Sequence, residues 1–61
     1  MAYVVRPGWI ARMRMGSTEG IRKGLATWQH YALDNYADPA ACAKARAYID
    51  ALKAELANRG A

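Results

Sequence analysis

The side chains that could do chemistry in this sequence are few and widely separated. His30 and Asp34 stand four residues apart, a spacing that places an imidazole beside a carboxylate on one helix face. Two such groups could begin a zinc site, but the chain has one histidine and one cysteine, so the remaining Cys or His ligands are missing. We therefore expect no enzyme activity, metal or cofactor. We interpret His30 and Asp34 as a surface pair and Cys42 as a small buried apolar residue.

Three glycines recur every four residues, at Gly16, Gly20 and Gly24. They lack the lysine pattern of a phosphate-binding loop. In a helix surrounded by polar residues, this spacing either favours close packing against another helix or is incidental.

Basic charge is concentrated in the first half of the chain. Residues 1–30 hold five basic side chains against one acidic, whereas residues 31–61 hold four of each. Arginine with interleaved aromatic residues suits an acidic protein surface, or phosphate contact with base stacking. The alternative is ordinary solubility charge. The predicted partner-binding residues are Trp9, Arg12, Arg14, Arg22 and Lys23.

Two helices are predicted to position these residues. The later one, about 39–58, begins after Asp38 as N-cap, with Pro39 in its first position, and ends before Gly60. The earlier one, about 17–36, begins at Ser17, and Glu19 in its first turn suits the helix dipole.

Both helices carry apolar seams with steps of three and four residues, which are typical of helices that pack together. We therefore predict an all-α fold, an antiparallel helical hairpin forming one small domain over residues 1–61. Further apolar positions beside the seams indicate a third layer, made by the N-terminal segment, a second copy of the chain, or both. The seams are Ile21, Leu25, Trp28, Ala32 and Tyr36 in one helix, and Cys42, Ala45, Ile49, Leu52 and Leu56 in the other.

The stretch GWIARMRMG, residues 8–16, fits either a strand or a helix. Pro7 and Gly8 suit the centre of a type II turn, which splays strands and so argues against a hairpin within the chain. The residues that follow favour a short helix of about 9–15 that ends at Gly16. The sequence leaves open whether residues 1–8 form a flexible arm.

As a strand, the same stretch would place Ile10, Arg12 and Arg14 on one face, ahead of two helices. That outline, over roughly residues 9–58, is similar to the ribbon-helix-helix family of DNA-binding proteins. The resemblance implies a dimer whose paired strands enter the major groove, with these three residues facing the bases. It is the alternative fold.

Together these features predict a non-catalytic binding module that docks on a macromolecule. A small bacterial or phage regulator or inhibitor would fit, homo-oligomeric and cytoplasmic, with a protein partner or self-association favoured over nucleic acid. The alternatives are a dimeric DNA-binding transcriptional regulator and a small structural subunit of a larger assembly such as a virion. No apolar run approaches the roughly 20 residues of a membrane helix, so no membrane partner is expected.

Overall fold

Three α-helices make up most of the computed structural model, which describes residues 3–61. Helix α1 spans Pro7–Met15, α2 spans Thr18–Asp34 and α3 spans Pro39–Asn58. The described residues contain no strand, which confirms the all-helical prediction. The stretch that the ribbon-helix-helix alternative needs as a strand is helix α1. Of the predicted N-terminal arm, Met1 and Ala2 lie outside the described residues.

Side-chain caps set where α2 and α3 begin. The hydroxyl of Ser17 accepts a hydrogen bond from the N–H of Gly20 at 3.0 Å. The carboxylate of Asp38 accepts from the N–H groups of Ala40 and Ala41 at 3.1 and 3.2 Å. These bonds satisfy donors that have no partner within the first turn of a helix. Gly60 has a φ of 73°, as predicted for a left-handed residue after α3.

Helix α1 begins two residues earlier than the sequence predicted. Pro7 is its first residue and Gly8 lies inside it, so the expected type II turn with Gly8 at positive φ is wrong. Proline suits this position because its φ is already helical and its missing N–H is not needed there. The carbonyl of Arg6 then accepts from the N–H groups of Trp9 and Ile10 at 3.1 and 3.3 Å.

Helices α2 and α3 pack extensively against each other, joined by the turn at residues 35–38. Three predicted seam residues lie in the core, Ile21, Ala45 and Leu52. The buried side of α3 is rotated relative to the predicted seam. Two predicted seam residues, Cys42 and Ile49, are only half-buried. Ala41 and Tyr48 are buried in their place. Tyr36 is 82% exposed, since α2 ends before it.

Aromatic packing around Tyr48 explains this rotation. The ring of Trp28 stacks parallel to the Tyr48 ring at 4.2 Å between centroids, and Trp9 of α1 meets it edge-on at 4.6 Å. Tyr3 lies at 5.7 Å, and its hydroxyl is 3.3 Å from that of Tyr48. The N-terminal segment of the same chain therefore supplies a third layer and draws Tyr48 inward.

Replacing Tyr48 by alanine should lower the free energy of unfolding by about 3 to 5 kcal/mol, as other large core aromatic residues do. Tyr36→Ala is the matched control, because this exposed tyrosine should change stability by no more than about 0.5 kcal/mol. Urea unfolding of both variants measures the difference. Equal losses would show that Tyr48 does not join the three helices.

Tyr48 should also make stability depend on alkaline pH. Its hydrogen bond with Tyr3 raises the pKa of Tyr48 above its ordinary value, and burial raises it further. The unfolded tyrosine ionises near pH 10, before the folded one, so the contribution of Tyr48 is complete below about pH 10 and is lost as pH rises through the folded pKa. The midpoint temperature of thermal unfolding should therefore fall less steeply above about pH 10 in Tyr48→Phe than in the parent protein. Identical slopes would contradict this.

Candidate functional site

The structure does not bring the five predicted partner-binding residues into one patch. Trp9 is half-buried against Tyr48, and Arg12 is exposed beside it on α1. Arg14 turns toward Glu55 of α3, with 3.7 Å between its Nε and the carboxylate. The two basic residues of α2 do not join Trp9 and Arg12. Lys23 Nζ lies 3.9 Å from the carboxylate of Glu19, and Arg22 lies about 160° round the helix from Gly24.

An open groove of about 490 Å³ lies where Trp9 and Arg12 meet α2. Its walls are apolar apart from Arg12, and the three glycines noted in the sequence all line it. We call it the glycine groove. Its lining residues are Trp9, Arg12, Met13, Gly16, Gly20, Ile21, Gly24 and Leu52.

The groove stays open because α1 leans on α3 rather than on α2. Gly20 and Gly24, one helical turn apart, present bare backbone on the side of α2 that faces the groove. Trp9 and Met13, four residues apart on α1, supply the facing apolar wall. The arrangement can hold an elongated apolar object such as a helix ridge.

Gly20 and Gly24 differ in whether the surrounding structure would accommodate a Cβ atom. A Cβ at Gly20 would approach the capping hydroxyl of Ser17 to 3.1 Å, so this glycine suits the start of α2. A Cβ at Gly24 would meet only the methyl groups of Leu52, at 3.7 and 3.8 Å, which is ordinary contact. Glycine inside a helix costs about 1 kcal/mol relative to alanine. Packing within the chain therefore does not account for glycine at position 24.

Arg59 fastens the junction between α1 and α2 to the end of α3. Its Nη2 donates to the carbonyl of Arg14 at 2.7 Å, and its Nη1 donates to the carbonyl of Gly16 at 2.8 Å and to Oγ1 of Thr18 at 3.2 Å. Its Nε donates to the carboxylate of Glu55 at 2.8 Å. This clamp sets the position from which α1 and α2 diverge, and hence the groove.

The sequence indicated only part of this clamp. The spacing of Glu55 and Arg59 predicts a helical ion pair. It carries no sign that Arg59 also reaches backbone carbonyls more than 40 residues earlier in the chain. Such contacts depend on how the three helices meet, so no local pattern could have revealed them.

The other reactive side chains stay apart from the groove. His30 and Asp34 form an exposed pair, with 3.7 Å between Nε2 and Oδ2. The thiol of Cys42 points at the carbonyls of Asn35 and Tyr36, at 3.4 and 3.7 Å. Within residues 3–61, no three histidine, cysteine, aspartate or glutamate side chains gather as metal ligands would.

Comparison with known proteins gives no relative, since no protein-family model, curated protein or solved structure matches the chain. None of the helices in residues 3–61 has the length and apolar character needed to cross a membrane. The fold and the groove define residues 3–61 as a small three-helix structure with an apolar groove beside α1 and α2.

Removing the clamp should loosen α1. Arg59→Ala should lower the free energy of unfolding by about 2 kcal/mol, because it deletes charge-assisted hydrogen bonds and leaves the Glu55 carboxylate, 11% exposed, without its closest cation. Amide hydrogen exchange in α1 should also accelerate more than in the middle of α3. Arg46→Ala is the control, since Arg46 is exposed and makes no side-chain hydrogen bond within residues 3–61. Uniform acceleration across all helices would argue against a local clamp.

Proposed function

We propose that this protein is a non-catalytic docking module that receives a helix of a protein partner in the glycine groove. The observation that carries the proposal is the apolar groove itself, open along α2 where Gly20 and Gly24 expose backbone. Small residues let two helix backbones approach closely, which lengthens the contact that an incoming helix makes.

The walls of the groove have the side chains that dominate protein interfaces. Tryptophan and arginine are the residue types most enriched among those that contribute most to binding. Trp9 packs edge-on against Tyr48, and this contact restricts the rotamers of Trp9 before docking and so reduces the freedom that it would lose. Arg12 is the one charged residue of the lining and would pair with a carboxylate on the partner helix.

The predicted partner-binding residues take different roles in this proposal. Trp9 and Arg12 contact the partner directly, whereas Lys23 lies outside the lining of the groove and 3.9 Å from Glu19. Arg14 belongs to the clamp, because its side chain faces Glu55 and its carbonyl binds Arg59. Arg22 lies on the other side of α2 and does not serve this site.

Such a module acts by occupying a surface of another protein, as a small regulator or inhibitor does. Glycine at position 24 supports this use, because alanine would stabilise the free helix without a clash. The stability that α2 loses by having glycine instead of alanine at position 24 is offset only in the complex, where a partner helix packs across the groove.

A photo-reactive amino acid at position 13 tests the proposal in cells that express the protein. Met13 lies in the groove, so a protein partner should cross-link to it. Gly24→Leu should fill the groove and reduce the cross-linked product at least about tenfold, a loss of about 1.4 kcal/mol in binding. Ala26→Leu is the matched control, since residue 26 is exposed elsewhere on α2 and should leave the product unchanged.

Circular dichroism tests whether both leucine variants fold. If Gly24→Leu is unfolded, Arg12→Glu serves as the groove variant in its place. A product that survives both groove variants would refute docking in the groove. Duplex DNA binding that weakens steeply with salt and disappears in the Arg12→Ala, Arg14→Ala double variant would instead support a DNA-binding regulator.

A further inference from the structure

A second apolar surface lies on the other flank of the α2–α3 hairpin. Cys42, Ile49 and Leu56 recur every seven residues on α3 and are half-buried. Ile49 follows Tyr48 and so lies about 100° round α3 from the side that meets α1. Leu25 and Ala32 of α2 show the same spacing and the same partial burial. We call these five residues the open face.

The edges of the open face are basic. Arg46 and Lys53 share one concavity of about 950 Å³ with Ala32, Cys42 and Ile49, and Tyr3 of the N-terminal segment reaches one side of it. Neither cation forms an ion pair with any of residues 3–61. On α2, Arg22 precedes Leu25 by three positions and therefore borders the same face. Asp50 is the one acidic residue in that concavity, so positive charge predominates.

The exposed surface of the whole chain is larger than a monomer of this size normally has. Its accessible area is 4498 Å², against about 3,900 Å² expected for a compact monomer of 6.7 kDa. The surplus of about 600 Å² approaches the roughly 800 Å² that each partner contributes to a standard interface. The surplus belongs to the whole chain, and exposed residues such as Met15, Leu33 and Tyr36 contribute to it.

We infer that the open face binds an acidic amphipathic helix of a second protein partner, which makes the chain an adaptor between two proteins. The apolar ridge of such a helix would rest on Ile49 and Ala32, and its acidic flanks would face Arg22, Arg46 and Lys53. A helix of about 20 residues spans about 30 Å, close to the 32 Å long axis of the domain. The inference goes beyond the proposed function because the glycine groove is a separate surface.

Charge argues against a second copy of the chain in the same place. Two antiparallel α3 helices that cross at Ile49 would set Arg46 of each copy close to Lys53 of the other, since the two positions lie three and four residues on either side of the crossing. Parallel helices would oppose each cation to itself. Like charges at such flanking positions disfavour association, whereas carboxylates on a different partner would be attracted.

Two designed peptides test the inference on the full chain. Both are helices of about 20 residues with one leucine stripe; one carries glutamate along its flanks and the other carries lysine. The glutamate peptide should bind at least about tenfold more tightly, equivalent to about 1.4 kcal/mol. When the glutamate peptide binds, the amide chemical shifts of the protein should change most at Ala32, Cys42 and Ile49. Alkylation of the Cys42 thiol should be slower in the complex than in the free protein.

Charge reversal and an apolar variant sharpen the test. Arg46→Glu with Lys53→Glu should invert the preference, so that the lysine peptide binds more tightly. Ile49→Asp should abolish binding of the glutamate peptide. Residue 54 is exposed and lies about 140° round α3 from Ile49. Ala54→Asp should therefore retain binding of the glutamate peptide, and it controls for the added negative charge. Circular dichroism establishes the fold of each variant.

Three results would overturn the inference. Equal affinity of both peptides would remove the role of charge, and a concentration-dependent dimer that shifts the Cys42 and Ile49 amides without peptide would identify a second copy as the occupant. Shift changes confined to Gly16, Gly20 and Gly24 would place the acidic helix in the glycine groove, which supports the proposed function while refuting the open-face site. Conversely, groove variants such as Gly24→Leu should leave open-face binding unchanged.

Discussion

Burial of the Tyr48 ring is the interaction on which the rest of the structure depends. The core of the described chain is small, with Ile21, Ala41, Ala45, Tyr48 and Leu52 as its buried apolar residues. Of these, Tyr48 contacts aromatic rings from α2, α1 and the residues before α1. A domain of this length has little apolar surface to bury, so one large side chain shared by all three layers contributes an unusually large part of its stability.

The same interaction decides which surfaces stay free. Because Trp9 packs on Tyr48 and Arg59 holds the α1–α2 junction, α1 is attached to α3 at both ends and leans away from α2. The glycine groove is the space that remains between α1 and α2. Helix α1 does not line the concavity that holds Cys42 and Ile49, and of the residues described before α1 only Tyr3 reaches it, so these two side chains stay half-buried.

Local features were predictable because each depends on neighbouring residues alone. Ser17 and Asp38 accept hydrogen bonds from their own first turns, and Gly60 takes the left-handed conformation that ends a helix. Pro7 shows the limit of this reasoning, since Pro-Gly suits a type II turn as well as a helix start, and its two neighbours do not decide between them. The candidate site was only partly predictable: Trp9 and Arg12 do meet at one groove, but Arg14 and Arg22 face other parts of the structure.

The sequence by itself determined the helical hairpin, the starts of α2 and α3, and the excess of positive charge in the first half, but it left residues 8–16 open between a strand and a helix. These follow from capping, helix periodicity and composition, which act over a few residues or over the whole chain regardless of its shape. Only the tertiary structure decided that Tyr48 rather than Cys42 enters the core and that Arg59 binds carbonyls of the α1–α2 junction. The physical reason is that an α3 side chain has apolar neighbours available on more than one side, and the docking of α1 determines which side is buried.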